Sequence, residues 1–436
     1  MSEVEALQVV IDQIDKMRED ILATLSQLVR IPSITPKYPG INREEVIGGE
    51  TECNKALRHT YEAAGCHIDM WEEEPLRANL IGVLKGTGGG RSLIFNGHID
   101  TVPPGESSAW KWGDPFSGRI EDGKLYGLGS CDMKAGVVAQ AKAAEALSKA
   151  GIKLKGDLIL ESVVGEETMD HNAGTTATIK RGYLADAAVV SEPSGPPCSL
   201  AVVPCSPGLF WLKITVKGKP THVCVRGNFI WPGGEGDRIG VNAIEKAFFI
   251  ADSLKKLEHN WGMSKLHPLF APGHFTIGPN VILGTPPGPM VPFIVPHLCY
   301  IDYIVMYKPE ESPEDVKAEV EAFLESVFDQ DPWLRVNRPV VEWPHHWPSY
   351  DTPIEHPICK VAAEAHADVV GRPAVFHGFA AVDDATYLQM GGIPTITYGP
   401  GSLLVAHSAN EHVDVEEVIT ACKVYAAIAL KWCGID

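Results

Sequence analysis

The chain has 436 residues, 45% hydrophobic and 21% charged, so it has enough apolar material for a packed core, and global disorder is excluded. Lys and Arg total 37 against 56 Asp and Glu, a net charge of −19. That sign opposes a nucleic acid or an anionic membrane as partner, since both need a basic surface.

The length is that of two or three ordinary domains. No apolar run approaches the ~20 residues of a membrane span, and the N-terminal stretch is acidic rather than basic and then apolar. Ten cysteines are scattered without a Cys-x-x-Cys pair. These features predict a cytoplasmic protein with reduced thiols.

Leu7, Val10, Ile11, Ile14, Met17, Ile21, Leu22, Leu25 and Leu28 recur at helical spacing, and Pro32 closes the run, which predicts one helix over 7–30. A second helix is expected near 50–64. Apolar runs at 79–86 and 92–100 flank a glycine-rich turn at 87–91. A phosphate-cradling loop would have to open a helix, and here a strand follows. A helix over 133–151 and strands at 158–164 and 186–194 continue a strand-helix-strand rhythm, which argues for a layered α/β domain.

From Pro207 the texture changes. An alternating strand at 209–219 leads through a loop rich in Gly, Pro and Trp to an amphipathic helix at 241–258. A strand at 297–307 and a helix at 312–328 follow. This reads as a smaller α+β unit inserted at 207–336 between two parts of the larger domain, 1–206 and 337–436, the second ending in a helix at 416–433.

Acidic and histidine residues stand at the ends of successive predicted strands. In Gly97-His98-Ile99-Asp100 the two-residue period puts His98 and Asp100 on one face, where a carboxylate can hold a metal-binding imidazole by its far nitrogen. Asp132 opens a predicted helix, where it could equally serve as an N-cap. Glu166 and Glu167 are adjacent and repel each other unless a cation holds one of them; one metal ligand and one general base resolve the conflict. Glu192 ends the strand at 186–194, and His407 lies in a loop after Gly399-Pro400-Gly401. Singly, each has an ordinary reading as a cap, a solvated carboxylate or an exposed histidine. Together they form a donor set for hard-to-borderline divalent cations at two positions.

The ordered motifs GHIDTVP (97–103), GLGSCDMKAG (127–136), GEE (165–167), SEPS (191–194), VNAI (241–244), ESPEDV (311–316) and HSANEHV (407–413) resemble the M20 metallopeptidases. That family groups acetylornithine deacetylase, succinyl-diaminopimelate desuccinylase, aminoacylase and glutamate carboxypeptidase. The resemblance runs from about residue 28 to the C-terminus. It implies a Zn-peptidase-like α/β catalytic domain, its mixed sheet flanked by helices, with an inserted α+β lid through which two copies dimerise; larger assemblies stay open. It also implies one or two divalent cations, Zn, Mn or Co. His98 and Glu192 would hold one position, Glu167 and His407 the other, and Asp132 would bridge them, followed by a cis peptide. Asp100 would orient His98. Glu166 would be the general base, and His222 would reach the partner subunit's site to stabilise the oxyanion.

Three departures from the family pattern bear on substrate. Phe293 and Met306 stand where members carry an Asn and a carboxylate-gripping Arg; an alternative alignment places Asn280 at the Asn position and still yields no Arg. An insertion after His222 supplies Arg226, Phe229 and Trp231, with Arg226 either a substitute carboxylate anchor or a solvated loop arginine. Cys131 adjoins Asp132, either inert or facing the metal. The expected activity is hydrolysis of a C–N bond in a small, partly apolar or aromatic substrate, with amide hydrolysis first. Release of ammonia from an electron-poor aromatic amine, as by the family's 5-nitroanthranilate aminohydrolase, is the second reading, and a non-catalytic metal or ligand binder the third.

Overall fold

The runs at 79–86, 92–100, 158–164 and 186–194 are nearly continuous in apolar residues because the strands they form are covered on both faces. In the computed structural model, which describes residues 1–436, these are Arg77–Leu84, Leu93–His98, Leu158–Val163 and Ala187–Val190, buried over almost their whole length. With His67–Glu74 and Thr395–Thr397 they make one six-stranded sheet, ordered 67–74, 77–84, 158–163, 93–98, 187–190, 395–397. The last four run parallel; the first two pair antiparallel to their neighbours. Strand 67–74, which sequence reading did not anticipate, is an edge strand with three acidic residues in succession, Glu72 to Glu74. Charge is what an edge tolerates and a central strand does not.

Helices Ala135–Lys149 and Val415–Cys433 pack on this sheet and are buried almost all round. That suits their Ala-rich and uniformly apolar sequences. The helix expected over 7–30 is two, Glu3–Lys16 and Arg18–Val29, broken at Met17. Val10 and Ile14 before the break, and Ile21, Leu25 and Leu28 after it, are all buried. The apolar period therefore runs on through a change of axis and cannot reveal it. No helix is long and apolar enough to cross a membrane.

The chain divides into one unit of Met1–Ser206 with Tyr350–Asp436 and a second of Pro207–Ser349. The second unit continues past 336 because Val340–Trp347 is a strand of its own sheet, paired antiparallel with Gly208–Lys217. Pro344 and several polar side chains disguise that strand in the sequence. It lies at a sheet edge, and the pairing is irregular between Glu342 and His345, which is where a strand accepts proline.

The second unit is an antiparallel sheet ordered 277–285, 298–307, 208–217, 340–347, with helices Ala243–Ser264 and Pro313–Gln330 sharing its core. Alternation in Gly208–Lys217 sends Phe210, Leu212, Ile214 and Val216 inward, where they join Ile250, Leu254, Val320 and Leu324 of the helices. At the base of the insertion, Cys205–Ser206 pairs with Tyr350–Asp351.

Ile428 is fully buried in the helix over Val415–Cys433. Ile428→Ala leaves a cavity there and is expected to destabilise the larger unit by about 2–5 kcal/mol, read as an earlier midpoint in denaturant unfolding.

Candidate metal centre

The parallel strands deliver their chemistry at their carboxyl ends, the usual place for a site in an α/β sheet. His98 is the last residue of Leu93–His98. Beyond Leu158–Val163 the chain turns at Gly165, with φ of 88°, into a single 3-10 turn carrying Glu166 and Glu167. Glu192 follows Ala187–Val190, and His407 lies in the loop after Thr395–Thr397. The residue before His98 must be glycine, since a Cβ on Gly97 would stand 2.7 Å from both Ser191 Oγ and Val137 Cγ2.

Asp132 comes from the irregular segment Ser130–Lys134 ahead of the helix Ala135–Lys149. It does not cap that helix: the N-cap position is Lys134, and no side chain caps it. The peptide between Asp132 and Met133 is cis.

These side chains converge. His98 Nε2 is 3.1 Å from Asp132 Oδ1, 3.1 Å from Glu192 Oε1 and 3.8 Å from Glu166 Oε2. His407 Nε2 is 3.3 Å from Asp132 Oδ2 and 2.9 Å from Glu167 Oε2. Each oxygen of Asp132 thus faces a different imidazole, with one glutamate beside each. Two overlapping donor groups, His98–Asp132–Glu167 and His98–Glu166–Glu192, are close enough to hold a cation. The His98 side chain is 1% exposed and that of His407 52%, so the cluster has a deep side and an open side.

Four carboxylates with two imidazoles, and no lysine or arginine among them, form a set that is unfavourable without added positive charge. Burial pushes the Glu167 carboxyl up to about 7 and that of Glu192 to about 8, and it raises Glu166 well above the ordinary range. His407, hydrogen-bonded to Asp132 and Glu167, is raised to about 12. Burial opposes the charge on His98, yet Glu192 and the neighbouring carboxylates raise it well above an ordinary histidine. A set of O and N donors of this kind suits a divalent cation.

Asp100 acts somewhat differently from the sequence expectation. His98 Nδ1 lies 3.0 Å from the backbone carbonyl of Asp100, and the Asp100 carboxylate is at 3.6 Å. A carbonyl only accepts, so Nδ1 carries the hydrogen and Nε2 faces the acidic cluster. The Asp100 carboxylate accepts from the amides of Gly165, Glu166 and Glu167, at 2.9, 3.4 and 3.2 Å. It ties the 98–100 segment to the Glu166–Glu167 turn.

Glu411 was not singled out from the sequence. Fully interior, it accepts from the amides of Cys131 and Asp132 at 2.9 and 3.1 Å, and burial raises its carboxyl to about 8. Its place in HSANEHV, beside His407, was the available signal. Cys131 is inert. Its Sγ donates to the Ser402 carbonyl, and burial keeps its thiol far above the ordinary range.

The substrate-side expectations fall within the second unit. His222 is exposed, and its Nδ1 accepts from the Cys224 amide. The 221–223 and 293–295 segments pair backbone to backbone, which sets His222 opposite Ile294. Phe293 is 63% exposed, as is much of Trp231. Met306 sits in the strand Leu298–Tyr307 opposite Leu209, and Asn280 is exposed on the strand Ile277–Thr285. The Arg226 guanidinium pairs with Glu245 and lies near the Phe229 ring.

Comparison with known proteins matches residues 94–431 to the family described as Peptidase family M20/M25/M40. An N-formyl-4-amino-5-aminomethyl-2-methylpyrimidine deformylase of Halalkalibacterium halodurans is 34% identical over 100% of this chain and 99% of its own. The Bacillus subtilis protein of the same name is 33% identical over 97% of this chain and 96% of its own. Among solved structures, human carnosine dipeptidase 1 shares the fold with a TM-score of 0.74 at 17% identity, over 98% of each chain.

The protonation states carry a test. Glu167, Glu192, Glu411 and His407 have folded pKa values above their unfolded ones, so the metal-free fold binds their protons more tightly. Their contribution is full below the unfolded pKa and is lost as pH rises through the folded one. The thermal midpoint of chelator-treated protein should fall by about 5 °C or more between pH 6 and 8. A divalent cation should raise that midpoint more at pH 8 than at pH 6. Thermal scans with and without metal check both trends.

Proposed function

The chain belongs to peptidase family M20/M25/M40, a family of metal-dependent hydrolases of C–N bonds, and we propose that it removes the formyl group from an N-formylated aminomethyl heteroaromatic amine. The observation that carries this reading is the identity shared over essentially the whole chain with two proteins named as pyrimidine deformylases. The departures in the second unit support it. A formamide on a neutral ring has no carboxylate to grip, and apolar Met306 and Phe293 stand where a guanidinium and an amide would serve an anionic substrate. The same relatives favour an amide over a ring amine as the scissile group.

In this proposal His98 and Glu192 would hold one cation and Glu167 and His407 a second, with Asp132 a ligand to both. When bound, divalent cations of the Zn, Mn or Co class supply Lewis acidity to the attacking water and the formyl oxygen. Glu166 takes a proton from the water and returns it to the amine nitrogen as the C–N bond breaks, so that formamide and water become amine and formic acid. Glu166 suits the part because its carboxylate is interior and 3.8 Å from His98 Nε2. Asp100 fixes the turn and the His98 tautomer. The partner subunit's His222 is assigned the oxyanion contact, as the family resemblance implies. A homodimer accords with the edge strand Ile277–Thr285, whose Val281, Ile282 and Leu283 are each about half exposed.

Metal-loaded protein should release formate and the free amine from N-formyl-4-amino-5-aminomethyl-2-methylpyrimidine, with no ammonia. N-succinyl amino acids and electron-poor anthranilates should turn over far more slowly. Ammonia appearing with a hydroxyarene, and no formate, would overturn the reading. Glu166→Gln should keep its metal content and lose about 10²–10⁴-fold in kcat, measured by formate release and elemental analysis. Ile282→Lys should convert a dimer to a monomer in light scattering coupled to size exclusion, with the far-UV spectrum unchanged.

A further inference from the structure

Behind the Glu166–Glu167 turn lies a charge network that the mechanism above does not use. Arg77, at the start of the strand Arg77–Leu84, has a fully buried side chain. Its guanidinium forks onto Glu50 of the helix Gly49–Ala63, Nε to Oε2 at 2.6 Å and Nη2 to Oε1 at 2.8 Å. Its Nη1 donates to Asp170 Oδ2 at 2.6 Å and to Glu74 Oε2 at 3.0 Å. Lys37 closes the outer side, 2.7 Å from Asp170 and 2.9 Å from Glu74.

The network reaches the site through one residue. Asp170 ends the segment that begins at Gly165, and its amide donates to the Gly165 carbonyl at 2.7 Å. Arg77 Nη2 lies directly under Gly165, where a Cβ would be 3.2 Å from it. The other side of the turn is held by Asp100, through the amides of 165–167. The turn carrying two adjacent, mutually repelling glutamates is therefore clamped between a carboxylate on one side and an arginine–aspartate pair on the other.

A buried ion pair is weak evidence of net stabilisation, since desolvation offsets the attraction. What such a pair does well is fix geometry, and arginine does it best because its planar fork sets both distance and angle. We propose that Arg77, acting through Asp170, is a positioning residue that sets where Glu166 and Glu167 present their carboxylates. This inference rests on the roles given above to those two glutamates.

Asp170→Asn tests it, because it weakens the link to the turn and leaves the Arg77–Glu50 pair intact. Three readouts are needed. Hydrogen exchange of the 165–168 amides in metal-free protein should speed up about tenfold, with the helix Ala135–Lys149 unchanged. The affinity for Co²⁺, titrated by its visible absorption without substrate, should fall about 10–100-fold, as for other residues that orient metal ligands. The kcat for formamide hydrolysis should fall by a similar factor, with KM changing less than threefold. Arg77→Lys, which keeps the charge and loses the fork, should move exchange and Co²⁺ affinity in the same direction. Glu74→Gln, which touches Arg77 and not the turn, should lower the thermal midpoint alone.

If Asp170→Asn lowers only the thermal midpoint, leaving exchange of the turn and Co²⁺ affinity as in the wild type, the network is a fold brace and the inference fails. If exchange and Co²⁺ affinity shift while wild-type protein turns over no formamide, the positioning role stands and the substrate assignment falls.

Discussion

Mutual repulsion among the buried carboxylates of Asp132, Glu166, Glu167 and Glu192 is the constraint around which the larger unit is arranged. In water these groups would move apart. Here a parallel sheet, a segment before a helix and a loop bring them onto two imidazoles, and only added positive charge makes that favourable. The neighbouring carboxylates raise both His98 and His407 above an ordinary histidine. Divalent cations match the donor set, because each oxygen of Asp132 faces its own histidine.

Holding such a cluster takes a rigid frame. The site stands on strand ends that are buried on both faces, and its turns are closed by interior carboxylates. Asp100 gathers three amides of the Glu166–Glu167 turn, and Glu411 gathers two amides of the Cys131–Asp132 segment. Both devices use a buried carboxylate to aim backbone, which in turn aims another carboxylate. The side chains of the acidic cluster are thus set at one remove, by carboxylates that hold their backbone. Close packing adds its own demands, as at Gly97, where the neighbouring strand and helix leave no room for a side chain.

The second unit, Pro207–Ser349, has a core of its own. Its core rests on the alternation of Gly208–Lys217 and Leu298–Tyr307 against two helices. Its exposed residues include Phe293 and Trp231, and Arg226 pairs with Glu245.

The sequence by itself determined the layered α/β class, the inserted unit and the residue types of the candidate metal centre. Hydrophobic period and the spacing of His, Asp and Glu are local properties, written in consecutive residues. Tertiary structure decided the rest. The break at Met17 leaves the apolar period in phase, so only packing reveals it. The strand over Val340–Trp347 is formed by pairing with Gly208–Lys217, which its own proline and polar residues conceal. Asp132 could cap a helix or bridge two histidines, and the choice depends on residues far along the chain, His98 and His407. Glu411, Arg77 and Asp170 act through hydrogen bonds to segments remote in sequence. No local pattern records such bonds, because they exist only once burial has removed the competing water.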